Sequence, residues 1–349
     1  MKRIRKNKPT KVRKKRLLPS TNIPNIPIAT SLLDVMVDYL EFESLLSYKY
    51  QHLDLKAEIQ KGIAELEAIR NHPVICYVAN VIQHNVDNSI DYSDDLPFKE
   101  MVNTIPLNER EIDVVLITPG GRASQVNNFV SVLRPRFDVV NFIVLDMAMS
   151  AGTIFIMSGD EIIMSAESKF GPIDPQIPNK EGRFVPAQSI LLAIQNIQNR
   201  GQDKINKGMQ PDWTDIAILN SINPHDIGNA IGASKYSIEM VKNYLIDYKF
   251  KNWNLHSDGV TSVTQQDKEQ RSQDIANLLC NHSVWKNHGH AITRDVAWSV
   301  CRLKIVHSES IPGLDRSMRR MRALFYWIFA NTTIAKLFIS QNYCIIISK

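Results

Sequence analysis

Apolar and polar positions along this chain change their period several times, and each change marks an element. Within residues 26–70, "SLLDVMVDYLEFESLL" and "LKAEIQKGIAELEAIR" repeat apolar residues at three- and four-residue spacing and are rich in helix formers, which predicts helices. From His72 the period shortens. "PVICYVAN" predicts a buried strand, "FKEMVNTI" a helix, and "IDVVLIT" a second buried strand that stops at Pro119-Gly120-Gly121. After the glycines, "SQVNNFVSVLR" puts Val126, Phe129, Val130 and Leu133 on one helical face, and "VVNFIVLD" returns to strand. Strand, Gly-rich turn, helix and strand in close succession are the pattern of a parallel βαβ unit. The next unit repeats it: Ser150 at the turn, "AGTIFIMSG" as a short buried helix, "EIIMSA" as a strand.

The end of the chain reads differently. "ALFYWIFANTTIAKLFI", Ala323 to Ile339, is interrupted by Asn331, Thr332, Thr333 and Lys336 before about 20 apolar residues accumulate, so it predicts a packing or interfacial helix rather than a membrane span. The basic "RSMRRMR" ahead of it and the apolar "YCIIIS" behind it allow peripheral contact with a membrane surface. Phe325, Tyr326, Trp327 and Phe329 read as aromatics that pack at an interface rather than bind a ligand.

Composition refines this picture at two points. The net charge of +5 comes from 41 Lys+Arg against 36 Asp+Glu, but the first 16 residues hold ten of the basic side chains and no acid. The remainder, 31 against 36, carries −5. The protein is thus a mildly acidic body with a basic arm, expected to be disordered over residues 1–25 and able to contact anionic partners or a membrane surface. The arm lacks aromatics for base stacking, and no sequence-specific nucleic-acid binding is expected. Three prolines break the apolar run behind it, so it is not a secretory signal. Cys76, Cys280, Cys301 and Cys344 form no CxxC pair and no zinc spacing, which fits a reducing, cytoplasmic location. Neither a metal nor another cofactor is expected. In "NHSVWKNHGH", His282, His288 and His290 lack a carboxylate or cysteine at ligand spacing, and the stretch reads as a turn ending a helix. Adjacent Asp160 and Glu161 point to opposite faces, as residues entering a strand do.

Active groups on parallel sheets gather at the carboxyl ends of strands, where both Pro119-Gly120-Gly121 and Ser150 fall. A serine at a strand end and a helix start has backbone N–H donors nearby. A nucleophilic oxygen and donors aimed at a developing oxyanion are what acyl transfer needs. Gly120, Gly121 and Gly152 let backbone approach a substrate closely. On spacing alone, a serine that only caps a helix remains the alternative.

"DVVLITPGGRASQVNNFVSVLR" and "MAMSAGTIFIMSGDEIIMSAESKFGPIDPQI" together resemble the serine dehydrogenase proteinase family, a branch of the Clp protease/crotonase superfamily related to signal peptide peptidase A. The likeness runs from about His72 to Ile177, continues more loosely through "DIGNAIGASKYSIEMVKNYL" and "NHSVWKNHGHAITRDVAWSVCRLKI", and omits residues 1–25 and 310–349. It implies an α/β fold of stacked β-β-α units with N- and C-terminal helical additions, and a homo-oligomer. Ser150 is implied as the nucleophile attacking a peptide carbonyl, with Gly120, Gly121 and the Ala151 amide as oxyanion donors and Gly152 and Asp174 in the site loops.

The general base is the gap in this pattern. A Clp-type histidine about 25 residues beyond the serine is absent, because that stretch reads "FGPIDPQ". Asp174 lies there instead, and an aspartate is a poor base for a hydroxyl. A lysine of signal-peptide-peptidase type is the substitute, with Lys204 first and Lys207 and Lys180 behind it; His225 is the further alternative.

The expected organisation is therefore a basic arm (1–25), a helical segment (26–71), a Clp/crotonase-like catalytic domain (72–250), a helical segment (251–310) and a basic, apolar tail (311–349). The expected function is that of a serine peptidase acting on peptides or proteins, ATP-independent on its own. A base-less assembly or regulatory subunit, and a crotonase-like acyl-CoA enzyme that would not need Ser150, are the alternatives.

Overall fold

Three apolar runs become the centre of a sheet: β1 (Val74–Ala79), β2 (Glu111–Thr118) and β3 (Val139–Ala148), parallel and in register Val74↔Asp113 and Glu111↔Val139. Every residue of β1 is buried, as in a parallel strand covered on both faces. The computed structural model describes residues 31–46, 53–178 and 182–348; the basic arm, 1–25, lies outside them. β4 (Glu161–Met164) continues the parallel set beside β3. β5 (Lys169–Phe170) pairs with the carboxyl end of β3, and β6 (Gln176–Pro178) and β7 (Phe184–Pro186) form a separate hairpin. β8 (Ile292–Thr293) pairs antiparallel with β5, and β9 (Val306–His307) lies parallel to β4. β10 (Ile334–Ile339) runs antiparallel to β1 and carries β11 (Cys344–Ser348) at its outer edge. The main path is thus β11-β10-β1-β2-β3-β4-β9.

Side-chain alternation along the strands divides the core into two layers. Ile75, Tyr77, Val114, Leu116, Phe142 and Val144 face one cluster; Val74, Cys76, Val115, Ile117, Ile143 and Leu145 face the other. The helices, in chain order, are α1 (Leu32–Val35), α2 (Glu41–Leu46), α3 (Leu55–Arg70), α4 (Asp95–Asn103), α5 (Ala123–Arg136), α6 (Ala151–Ile156), α7 (Ala187–Asn206), α8 (Trp213–Ser221), α9 (Pro224–Tyr244), α10 (Gln265–Cys280), α11 (His282–Trp285), α12 (Arg294–Ser299) and α13 (Leu314–Asn331). α4, α5, α6 and the ends of α9 and α10 cover the first face. α1 to α3 and α13 cover the second, so the N-terminal helices and the end of the chain build one layer together.

The run from Ala323 to Ile339 is not one helix. α13 stops at Asn331, and Ile334–Ile339 is a fully buried strand next to β1. Thr332 sits at φ −133°, extended backbone that suits a β-branched residue, while its hydroxyl donates to the Ile328 carbonyl (2.8 Å). Phe325, Trp327 and Phe329 fill the core of the chain itself. Among the described residues no helix is long and apolar enough to cross a membrane.

Candidate active site

β3 ends at Ala148, and the chain must turn sharply to start α6. Ser150 makes that turn at φ 51°, ψ −115°, a conformation that side chains other than glycine rarely adopt. It occupies the cap position of α6, yet its side chain accepts no capping hydrogen bond. Among the described residues its hydroxyl has no hydrogen-bond partner, and the residue is half-buried. A serine serving only as a helix cap would bond the amides of the first turn.

The Pro-Gly-Gly turn after β2 lies directly against this serine. A Cβ on Gly120, whose φ is +102°, would come within 2.7 Å of the Ser150 Cβ and of the Met149 carbonyl and within 3.2 Å of the Ala151 nitrogen. Gly121, at φ +146°, lies against Ile90, whose amide donates to the Gly120 carbonyl (2.8 Å) and whose carbonyl accepts from Arg122 N–H (2.9 Å). This ladder skips the Gly121 amide. Among the described residues neither Gly121 N–H nor Ala151 N–H donates to anything, whereas Gly120 N–H is taken by the Thr118 hydroxyl (3.1 Å). The two open donors beside the serine are therefore Gly121 and Ala151, and Gly120 contributes close approach instead. Gly152 belongs to the same contact: a Cβ there would meet the Thr118 methyl at 2.5 Å.

Thr153 fixes the other side of the turn. Its hydroxyl lies 2.8 Å from both the Ala148 and the Gly171 carbonyls and accepts from Gly171 N–H at 3.1 Å. The loop after β5 is thereby tied to the serine turn. Three residues along it, Asp174 is fully buried, with His288 Nδ1 at 2.7 Å and His282 Nδ1 at 3.1 Å. Neither histidine was expected at the site, because "NHSVWKNHGH" offers only a local pattern and its carboxylate comes from more than a hundred positions earlier. Cys280 adjoins the same carboxylate; burial first, then the Asp174 charge, push its thiol up to about 11, which makes it a poor nucleophile.

Three of the four expected bases fall on or beside α7 and α9. α7 leaves the body at Ala187, whose amide donates to the Pro175 carbonyl (2.8 Å), and α9 returns to it at Val241 and Tyr244. The connection between them is the outer end of an arm, carried out by a 20-residue helix of about 30 Å. Lys204 sits there in an ion pair with Asp212, exposed Lys207 ends α7, and exposed His225 opens α9. Among the described residues none of the three is hydrogen-bonded to Ser150. Lys180 lies outside the described residues.

A cleft of about 350 Å³ lined by Glu67, His72, Pro106 and Gln341 opens at the amino ends of the parallel strands, opposite the serine. Among the described residues no group of three or more His, Cys, Asp or Glu is placed to hold a metal ion, and the four cysteines are free.

The model of the ClpP-like SDH-type serine proteinase family matches residues 26–218, and the chain belongs to that family. Two uncharacterised proteins of Methanocaldococcus jannaschii are similar to it. One is 28% identical over 170 residues, covering 47% of this chain and 56% of that protein; the other is 35% identical over 97 residues, covering 27% and 32%. The chain thus spans about half the length of one relative and a third of the other. Among solved structures, a mutant of the 1510-N membrane-bound stomatin-specific protease in complex with a substrate peptide is 22% identical, with a TM-score of 0.27, covering 38% of this chain and 61% of that one. The ClpP protease catalytic domain from Plasmodium falciparum is 12% identical, with a TM-score of 0.24, covering 35% and 63%.

Proposed function

We propose that the protein hydrolyses peptide bonds by acyl transfer through Ser150. The observation that carries this reading is the serine held at positive φ with an unbonded hydroxyl beside two unpaired amides. Backbone strain of about 1–3 kcal/mol persists only where the surroundings impose it, and it collects at functional sites. Ser150 Oγ attacks the carbonyl carbon of a bound peptide, the carbonyl electron pair moves to oxygen, and the oxyanion is received by Gly121 and Ala151 N–H. Collapse expels the amine and leaves an acyl-serine, which water hydrolyses by the same steps.

A crotonase-like acyl-CoA enzyme would use the same amides but has no need of a strained serine. Its absence of any role for Ser150 makes that reading the weaker one. A purely structural subunit would likewise leave the serine conformation unexplained.

The test is hydrolysis of casein, a fluorogenic peptide series and a p-nitrophenyl ester by the full chain. Ser150→Ala should abolish turnover of every substrate that the parent cleaves, with the circular dichroism spectrum unchanged, while Lys204→Ala stays within threefold of the parent. Undiminished turnover in Ser150→Ala would refute the proposal.

A further inference from the structure

A serine hydroxyl needs a base; Lys204 is paired with Asp212, and Lys207 and His225 are exposed. The group that answers this need is Asp174 with its two imidazoles. A carboxylate only accepts hydrogen bonds, so a ring nitrogen at 2.7 Å from Asp174 Oδ1 or 3.1 Å from Oδ2 carries the proton. Both contacts are made by Nδ1. With Nδ1 protonated toward the carboxylate, the neutral ring keeps its lone pair on Nε2, the tautomer that a general base requires. Among the described residues, nothing is hydrogen-bonded to Nε2 of either ring.

Strand pairing links the segment that carries His288 to the serine turn. Ala148 on β3 pairs with Phe170 on β5, which pairs with Ile292 on β8. Just past that pairing Gly171 lies between the serine turn and the segment before β8. The contacts of Gly171 agree: a Cβ there would lie 2.5 Å from Met149 Cε and 3.5 Å from the His290 carbonyl. Asp174 follows Gly171 by three residues, and His288 precedes His290 by two, inside the turn in which the His290 amide donates to the Asn287 carbonyl (3.0 Å). Contacts between a serine and its general base are commonly long before substrate binds. His282 stands at the junction of α10 and α11 and holds the other carboxylate oxygen at the longer distance.

We infer that His288 is the general base for Ser150 and that Asp174 is its positioning residue, in the chain order Ser, Asp, His. The inference rests on the serine-peptidase reading above. His288 Nε2 takes the Ser150 proton as the Oγ–C bond forms. The resulting imidazolium is balanced by Asp174, whose carboxylate keeps its charge. Nε2–H then protonates the leaving nitrogen as the C–N bond breaks, and in deacylation the same nitrogen takes a proton from water and returns it to Ser150. His288 lies beyond the residues matched by the family model, 26–218.

The experiment compares His288→Asn, His288→Ala, His282→Asn, Asp174→Asn and Ser150→Ala in steady-state hydrolysis of the ester and peptide substrates. Asn at 288 preserves a donor toward Asp174 and so protects the fold, while removing the base. His288→Asn should lower kcat by roughly 10²- to 10⁴-fold with KM within twofold, the range for losing a general base. Asp174→Asn should lower kcat with KM similarly unmoved, and His282→Asn should keep kcat within fivefold. Added imidazole should restore part of the rate in His288→Ala and none in Ser150→Ala. Full kcat in His288→Asn, or equal losses at 282 and 288 without imidazole rescue, overturns the assignment of the base while a dead Ser150→Ala leaves the peptidase reading standing. Turnover persisting in Ser150→Ala removes that reading itself.

Discussion

Lys336 is completely buried, and so is its partner Asp94. The ammonium donates to Asp94 Oδ1 (2.6 Å) and to the Ser89 carbonyl (3.0 Å), while Tyr77 OH (2.9 Å) and Asp91 N–H (3.0 Å) donate to Asp94 Oδ2. Ser89 and Asp94 bracket Ile90, the residue that holds Gly121 in place. β10 thus supports the Pro-Gly-Gly turn through Ile90 from the far side of β1. Removing one member of a buried pair leaves the other charge without its counter-ion in a low-dielectric interior, a loss of about 3–5 kcal/mol. The two remaining donors on Asp94 place Lys336→Met toward the lower end of that range. With urea slopes of about 2–3 kcal/mol per M for a chain of this size, the unfolding midpoint should fall by roughly 1–2 M. Adding Asp94→Leu to Lys336→Met should recover a part of the loss, because no uncompensated charge then remains. Equilibrium urea unfolding followed by tryptophan fluorescence measures both. A midpoint shift corresponding to less than about 1 kcal/mol, or a double variant whose losses simply add, would refute the reasoning.

Three further outcomes follow from the same geometry. Gly121→Ala would push a Cβ to 2.3 Å from the Ile90 carbonyl oxygen at φ +146°, displacing the free amide; kcat should drop by about 10²- to 10³-fold, checked against an unchanged circular dichroism spectrum. Ser150→Gly should unfold at a higher temperature than Ser150→Ala, by roughly 1 kcal/mol of released strain at φ 51°; equal melting temperatures would contradict the strain. Asp113 is fully buried; burial pushes its carboxyl up, but the hydrogen bonds and charges of His72 and Arg70 outweigh this and hold it below the usual range. A depressed carboxyl contributes stability above its unfolded value of about 3.9 and loses it as pH falls through the folded value, so Arg70→Gln should move acid unfolding to higher pH.

Periodicity made the central sheet readable. β1, β2 and β3 are apolar enough on both faces to be recognised without knowledge of their neighbours, and Val126, Phe129, Val130 and Leu133 do form the buried face of α5. The position of Pro119-Gly120-Gly121 and Ser150 just past the ends of β2 and β3 was readable for a related reason, since glycines and small residues mark where an apolar run stops. Lys336 was misleading. In "IAKLFI" it looks like an interruption of an apolar helix, because the carboxylate that lets it sit inside a strand is 242 residues away. Asp174 and His288 are separated by 114 residues, and the pairing of β5 with β8, with the Ile173 amide donating to the Leu279 carbonyl, brings their loops together. Spacing in sequence carries no trace of such a contact.

Covalent labelling addresses the nucleophile with the fewest intermediate assumptions. Incubation of the full chain with a fluorophosphonate, followed by digestion and mass spectrometry, should place a single adduct on Ser150, absent from Ser150→Ala and strongly slowed in His288→Asn. An adduct on another residue, with Ser150 unmodified while peptide hydrolysis is inhibited, would contradict the account.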